Sequence, residues 1–133
     1  MAASIGDRAR EIIEAPNFCH VSTLRSDGSV HATLVWADID GDRILLNSAQ
    51  GRDWPANVAR DPRITLTVAN SENPYEFVSI RGRVVEITTE GAEEHIDALA
   101  KKYLGVDTYP MRAEGEVRIK LVVEPDHVVH RGA

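Results

Sequence analysis

The sequence has little cysteine, few aromatic residues, a deficit of basic charge and no long apolar run. Cys19 is the only cysteine among 133 residues, which excludes a disulfide framework and a thiolate zinc cage. Acidic residues outnumber basic ones by 21 to 15, giving a formal net charge of -6. A general nucleic-acid binder is therefore not expected, because such proteins concentrate Lys and Arg against the phosphates. The apolar runs are too short for an integral membrane segment.

What is abundant are apolar and β-branched residues. Hydrophobic residues make up 43% of the chain and aromatic residues only 5%, which favours strands with aliphatic cores. The length is typical of one domain, so we expect a single domain over residues 1–133. The first eight residues lack the hydrophobic stretch of a secretory signal, so a cytoplasmic location is expected.

Hydrophobic periodicity predicts three helices and six strands. The first helix is capped by Ser4 and stopped by Pro16, a short one lies within Ser48–Arg60, and the third is capped by Thr89 and ends at Gly105. The predicted strands are Phe18–Leu24, Val30–Trp36, Arg43–Asn47, Arg63–Ala69, Tyr75–Thr88 and Val117–Val123.

Tight turns connect the early strands. Asp27-Gly28 and Asp40-Gly41 are strong hairpin signals because both positions tolerate positive φ. The first fifty residues therefore predict a helix followed by a three-stranded meander. Gly82 lies inside the longest predicted strand and indicates a bulge or a close backbone approach. Hairpins without βαβ periodicity predict a mostly β, α+β fold: a six-stranded antiparallel barrel with peripheral helices.

Three patterns that resemble active sites have simpler interpretations. Asp38, Asp40 and Asp42 alternate around Gly41, but this glycine comes too early for a calcium loop, so we predict a solvated hairpin. His127 and His130 would face opposite sides of a strand and do not predict a metal site. Ser48 could be a nucleophile, but no base stands at a recognisable spacing.

The segment from Asn47 to Arg52 is more informative. It joins the end of a predicted strand to the start of a helix, and it combines small polar side chains with Gly51 and Arg52. Backbone N–H groups at a helix start, together with an arginine, form a physically reasonable anion site. Many strand-to-helix turns share these features, so a purely structural role stays open on this pattern alone.

The order of these segments resembles the flavin- and deazaflavin-dependent oxidoreductases of the split β-barrel superfamily, related to pyridoxamine-phosphate oxidase. It is most similar to the small actinobacterial branch that uses coenzyme F420. The residues that carry the resemblance are Ser26–His31, Val35-Trp36, Asp40–Asn47, Gly51-Arg52, Asn57, Ala59–Arg63, Glu72–Tyr75, Ile80–Val84 and Ala100–Gly105. Together they span about residues 10 to 125.

The resemblance implies an FMN-binding type of split barrel that forms a homodimer with cofactor sites at the subunit interface. The strand backbone at Val30, His31 and Ala32 would lie along the flavin-like ring, and Leu34 and Val35 would line its pocket. The remaining site residues that the resemblance implies, for the phosphate and the helix behind it, are Asn47, Ser48, Gln50, Gly51, Arg52 and Asn57. Tyr75 matches a position where an aromatic residue of the other subunit covers the pocket.

The chain departs from the family where two basic residues are usual, because Trp54 and Ala56 stand there. Each lost charge-assisted contact is worth about 1.5–3 kcal/mol. We expect either that Arg52, Arg60 or Arg63 compensates, or that Trp54 stacks on another part of the cofactor.

The function that follows from the resemblance is hydride transfer between reduced F420 and an unsaturated or carbonyl-bearing small-molecule substrate. The lack of an acid–base constellation fits such a role, because the cofactor supplies the chemistry. His31 and Tyr75 are candidate proton donors. FMN is the alternative cofactor within the same fold, and a non-catalytic carrier of a flavin, deazaflavin or haem-like ligand is the alternative of a different class.

Overall fold

The computed structural model describes residues 3–132, which form three helices and seven strands. Their bounds are α1 Asp7–Glu14, β1 Cys19–Leu24, β2 Val30–Val35, β3 Ala37–Asp40, β4 Arg43–Ala49, α2 Asp53–Arg60, β5 Arg63–Asn70, β6 Asn73–Thr88, α3 Ala92–Leu104 and β7 Arg118–Arg131. None of these helices is long and apolar enough to cross a membrane.

The strands form one antiparallel sheet in the order β2-β1-β5-β6-β7-β4-β3. The predicted mostly β split barrel with peripheral helices is therefore confirmed, but the count of six strands is wrong. The predicted strand Val30–Trp36 stops at Val35, and a separate strand, β3, follows. At the break, the backbone N–H of Ala37 donates to the Tyr103 hydroxyl, 3.1 Å away, and its carbonyl accepts from Lys102, so the start of β3 is bound to α3.

The predicted three-stranded meander is also wrong. β2 pairs with β1 at one edge of the sheet, whereas β3 and β4 form a hairpin at the opposite edge. β4 buries residues on both of its faces, including Ile44, Leu46 and Asn47, so its backbone N–H and C=O groups are shielded from water and need partners along both edges. β7 and β3 provide those partners.

The core lies between the inner faces of the curled sheet. Val21, Leu46, Leu66, Ile80 and Leu121 are all at most 1% exposed and come from five different strands. α1 and α2 add apolar side chains to the same core, which are Ala9, Ile12, Ile13, Trp54 and Val58. α3 packs against β4 and β7.

The predicted N-caps of α1 and α3 are wrong. The N-caps are Gly6 and Gly91 rather than Ser4 and Thr89, and neither makes a side-chain capping bond. Thr89 instead contributes its carbonyl, which accepts from the N–H of Ala92. Gly105 ends α3 as predicted, with a φ of 73° that favours glycine.

Gly82 is a point of close backbone approach, as predicted. The register of β6 against β7 shifts between Arg81 and Gly82. A Cβ atom at Gly82 would lie 2.4 Å from the carbonyl oxygen of Glu124. The absence of a side chain therefore lets β6 and β7 meet at this bend.

The acidic alternation forms the predicted hairpin between β3 and β4. Asp42 accepts hydrogen bonds there from the N–H of Ile5 and from Arg10. Within residues 3–132 no group of three His, Cys, Asp or Glu side chains is arranged to hold a metal ion. The Nε2–H of His130 donates to the Glu76 carboxylate at 2.8 Å.

Candidate cofactor cleft and its neighbouring cavity

β2 is an edge strand whose two faces differ. Val30 and Leu34 point outward and are 59% and 56% exposed, and Ala32 lies on the same face. His31 and Val35 point inward, since they pair with the buried residues Thr23 and Cys19. β2 thus offers a partly buried inner wall and an exposed apolar outer wall.

The turn between β4 and α2 faces that inner wall. Gly51 has a φ of 90°, and a Cβ there would meet nothing within 4 Å. Arg52 is the N-cap of α2 but makes no side-chain capping bond. The first N–H groups of an α-helix have no partner inside the helix, so this turn presents free donors beside the half-exposed Arg52 side chain.

A cleft of about 400 Å³ lies between β2 and this turn. It brings together six of the predicted site residues, which are His31, Leu34, Val35, Gly51, Arg52 and Trp54. Thr33 and Asp53 complete its lining. We call it the cofactor cleft.

Two more predicted residues lie beside the cleft without lining it. Gln50 is exposed in the turn, and its N–H donates to the carbonyl of Val117. Asn57 is buried behind the turn, where its Nδ2 donates to the Thr23 hydroxyl at 3.1 Å. Asn57 therefore anchors α2 to β1.

The other predicted residues are not brought into the cleft. Val30 and Ala32 lie on the exposed face of β2 and, unlike Leu34 of the same face, do not line the cleft. Ser48 is fully buried, and its hydroxyl has no hydrogen-bond partner among the described residues. Asn47 points toward α3, and Tyr75, 88% exposed at the start of β6, does not line the cleft.

Trp54, Arg60 and Arg63 do not replace the two basic residues that are usual in the family. Trp54 is 5% exposed and belongs to the hydrophobic core. Arg60 donates to the carbonyl of Leu24, and Arg63 pairs with Asp61. Among the described arginines, Arg52 alone lines the cofactor cleft.

A second cavity of about 220 Å³ adjoins the cleft, and we call it the aromatic cavity. It shares Leu34, Val35 and Arg52 with the cleft and extends toward α3 and the loop that follows it. Its other lining residues are Phe18, Trp36, Asn47, Ile96, Leu99, Tyr109, Met111 and Arg118.

Arg118 is the buried centre of a polar network in this cavity. It is 4% exposed, and its Nε and Nη2 donate to the Asn47 side-chain oxygen at 2.9 and 2.7 Å. Its Nη1 donates to Glu116, whose same oxygen lies 3.3 Å from Arg52 Nη2. One carboxylate thus joins the buried arginine to the arginine of the cofactor cleft.

A comparison with known families decides the affiliation. Residues 5–128 match the family described as pyridoxamine 5'-phosphate oxidase. The chain belongs to the pyridoxamine 5'-phosphate oxidase family. The fold of this family is that of flavin-binding oxidoreductases.

Solved structures with the same fold extend over nearly the whole chain. A structure described as an F420 reductase is 25% identical, with a TM-score of 0.84, covering 94% of this chain and 98% of that one. A conserved hypothetical protein from Mycobacterium tuberculosis is 17% identical, with a TM-score of 0.75 and coverages of 98% and 86%. The General Stress Protein 26 from Bacillus anthracis is 12% identical, with a TM-score of 0.69 and coverages of 94% and 92%. None of the curated proteins searched matches the sequence.

The electrostatics of the network in this family member follow from burial and hydrogen bonding. The N–H of Ala113 and the guanidinium of Arg118 hold the pKa of Glu116 below its ordinary value. Burial lowers the pKa of His95 to about 4, so its ring is neutral at pH 7. Asn47 Nδ2, 3.1 Å from His95 Nδ1, donates to that nitrogen and leaves the ring proton on Nε2.

Sequence reasoning missed the aromatic cavity. Asn47 was assigned to the phosphate, whereas its side chain binds Arg118 and the carbonyl of Ala92. A local signal for the network did exist, because Glu116 and Arg118 are opposite charges two residues apart and share one side near the start of a strand. The Asn47 partner of Arg118 is 71 positions away in the chain, and the lining residues Phe18 and Trp36 are farther still, so the cavity itself had no local signal.

Proposed function

We propose that this chain is an F420-dependent oxidoreductase, which transfers a hydride between the reduced deazaflavin and an unsaturated or carbonyl-bearing organic substrate. The observation that carries the proposal is the cofactor cleft, which brings an edge strand together with a helix start and the half-exposed Arg52. The similarity to an F420 reductase over nearly the full length of both chains supports it.

The residues of the cleft fit a phosphate group. Arg52 offers a half-exposed guanidinium, and the uncapped start of α2 adds backbone donors, a combination that suits an anion. His31 contributes a buried ring nitrogen, Nδ1, that has no hydrogen-bond partner among the described residues. The carboxylate of Asp53, in the first turn of α2, limits the positive charge at this site.

The limited positive charge favours F420 over FMN. The phosphate of F420 is a diester with a single negative charge, whereas a phosphate monoester carries about -1.5 to -2 at pH 7. One arginine and one helix start match the smaller charge better. The anionic oligoglutamate tail of F420 would bind near Arg81, which lines a separate cavity together with Arg63.

The bound deazaflavin would supply the hydride chemistry, and the chain would supply position and shelter from water. Gly51 and Arg52 would fix the phosphate, while Leu34 and Val35 would provide an apolar wall. His31 lies in the wall of the cleft and is therefore better placed than Tyr75 of the same chain to hold a proton for the substrate.

We further propose a homodimer with the cofactor bound between the subunits. Five large apolar side chains are each more than half exposed, namely Phe18, Val30, Leu34, Tyr75 and Met111. Val30 and Leu34 lie on the outer face of the edge strand. Such exposed residues are typical of an interaction surface. Sedimentation analysis should give two chains per particle, and a monomer at micromolar concentration would contradict the dimer.

The single domain and the cytoplasmic location stay predictions.

Cofactor binding is the direct test. Purified protein is titrated separately with F420 and with FMN while the tryptophan fluorescence is recorded. We expect saturable binding of F420 and much weaker binding of FMN. Tight FMN binding without a response to F420 would overturn the proposal.

A matched pair of variants then tests the phosphate site. Arg52→Ala should weaken F420 binding by about tenfold or more, since a hydrogen bond to a charged group is lost. Arg43→Ala is the control, because Arg43 is equally exposed and also ion-paired but lies on β4 away from the cleft. Equal affinity of the two variants would show that the phosphate does not bind at Arg52.

A further inference from the structure

The aromatic cavity has flat walls. Trp36 stacks on Tyr103 with ring centroids 5.2 Å apart, and it meets Tyr109 edge-on at 6.0 Å. The guanidinium of Arg118 lies over the Tyr109 ring at 5.1 Å. These contacts fix the orientation of Trp36, Tyr109 and the guanidinium plane, and so give the cavity a rigid shape suited to a planar molecule.

Arg118 retains unused hydrogen-bonding capacity inside this cavity. A guanidinium carries five N–H groups, and three of them are used on Asn47 and Glu116. One N–H on each terminal nitrogen therefore has no acceptor among the described residues. A buried donor pair of this kind favours a carboxylate or carbonyl oxygen.

The charges around the cavity add to this preference. Arg52 and Arg118 share the single carboxylate of Glu116, while the acidic residues Glu93 and Asp97 pair with Arg112. His95 is neutral at pH 7 because burial lowers its pKa. The two arginines of the lining together with Glu116 thus leave one positive charge in excess, on a protein whose net charge is -6.

We propose that the aromatic cavity binds a planar, conjugated carboxylic acid, with its ring against Trp36 and Tyr109 and its carboxylate on Arg118. The assignment of this ligand as the hydride acceptor rests on the proposed function, because the cavity opens beside the cofactor cleft through Leu34, Val35 and Arg52. The binding itself does not depend on the cofactor.

The test is calorimetric titration of the purified full-length chain with three small probes. trans-Cinnamate carries both the planar conjugated system and the carboxylate, cinnamyl alcohol lacks the charge, and 3-cyclohexylpropionate lacks the flat ring. We expect saturable binding of cinnamate at one site and about tenfold weaker binding of the other two. No cinnamate binding, or equal affinity for all three probes, would overturn the proposal.

Variants then locate the site. Arg118→Met combined with Glu116→Gln removes both buried charges together, so that no unpaired carboxylate is left, and it should abolish cinnamate binding. Tyr109→Ala should also abolish it, whereas Tyr109→Phe retains the ring and should bind as the unaltered protein does. Undiminished binding by the double variant or by Tyr109→Ala would overturn the proposal, and if the double variant does not fold, the Tyr109 pair decides.

Titration with F420 distinguishes the two proposals. If the chain binds cinnamate but neither cofactor, the proposed function is overturned and the aromatic binding site is retained. If the chain binds F420 but not cinnamate, the proposed function is retained and the aromatic binding site is overturned.

Discussion

At the scale of single residues, Gly82 carries a tight backbone constraint between two paired strands of the barrel. The Cβ of an alanine would approach the carbonyl oxygen of Glu124 to 2.4 Å and the Cα of Pro125 to 3.0 Å. Both are backbone atoms of the paired strand, so the clash can be relieved only by separating β6 from β7.

Gly82→Ala should therefore lower the free energy of unfolding by about 1–3 kcal/mol, the usual cost of overpacking. Urea denaturation measures the change. Arg81→Ala is the control, because the neighbouring side chain is exposed and surface substitutions usually change stability by less than about 0.5 kcal/mol. Similar stability of the two variants would show that the strands can part at this bend without cost.

At the scale of elements, one side chain of α3 holds two other elements in place. Lys102 donates to the carbonyl of Ile13 in the last turn of α1, at 2.7 Å, and to the carbonyl of Ala37 in β3, at 2.6 Å. The last carbonyls of a helix have no partner inside the helix, so Lys102 satisfies one of them. Burial lowers the pKa of its ammonium group.

Lys102→Met should destabilise the protein by about 1.5–3 kcal/mol, because it removes charge-assisted hydrogen bonds from buried carbonyls. Lys101→Met is the matched control, since Lys101 is exposed one position earlier on the same helix. Thermal unfolding of both variants decides the matter. The prediction fails if Lys101→Met is as destabilising as Lys102→Met.

The elements also mark the limit of what local sequence can predict. The three helices, the Asp-Gly hairpins and the turn that leads into α2 at Gly51 and Arg52 depend on neighbouring residues, and sequence patterns predicted them. The position of β4 beside β7 depends on contacts between residues about 71 positions apart, such as Asn47 with Arg118. No local pattern encodes that pairing, so both the strand order and the aromatic cavity required the structure.

At the scale of the whole molecule, Glu76 connects both ends of the chain to the barrel. Its side chain is 3% exposed and accepts two hydrogen bonds from Arg8 of α1, at 2.8 and 2.6 Å. Asn70 donates to it at 3.0 Å, and His130 near the end of β7 lies 2.8 Å away. The hydrogen bonds from Arg8, His130 and Asn70 hold the pKa of this carboxyl far below its ordinary value.

The stability of the protein should fall in two stages as the pH is lowered, the first caused by His95 and the second by Glu76. His95 has a folded-state pKa of about 4 against an ordinary value of 6.5, so only the unfolded chain takes up this proton between those two values. That uptake favours unfolding. The first loss of stability therefore spans about pH 6.5 to 4, and NMR should show the His95 ring still neutral at pH 5. A ring that titrates near pH 6.5 would contradict this assignment.

The second stage begins below pH 4.5, the ordinary pKa of Glu76. Because the folded pKa is depressed, Glu76 stabilises the fold above pH 4.5, and this contribution is lost as the pH falls toward the folded value. Glu76→Gln keeps the shape but removes the charge, so the variant should melt several degrees lower at pH 7 and lose less stability than the unaltered protein between pH 4.5 and 3. If the melting temperatures of the two proteins instead shift in parallel over that range, the connection that Glu76 makes between the chain ends is not the source of the acid sensitivity. The source is then the other carboxylates with a depressed pKa, such as Asp61 beside Arg63.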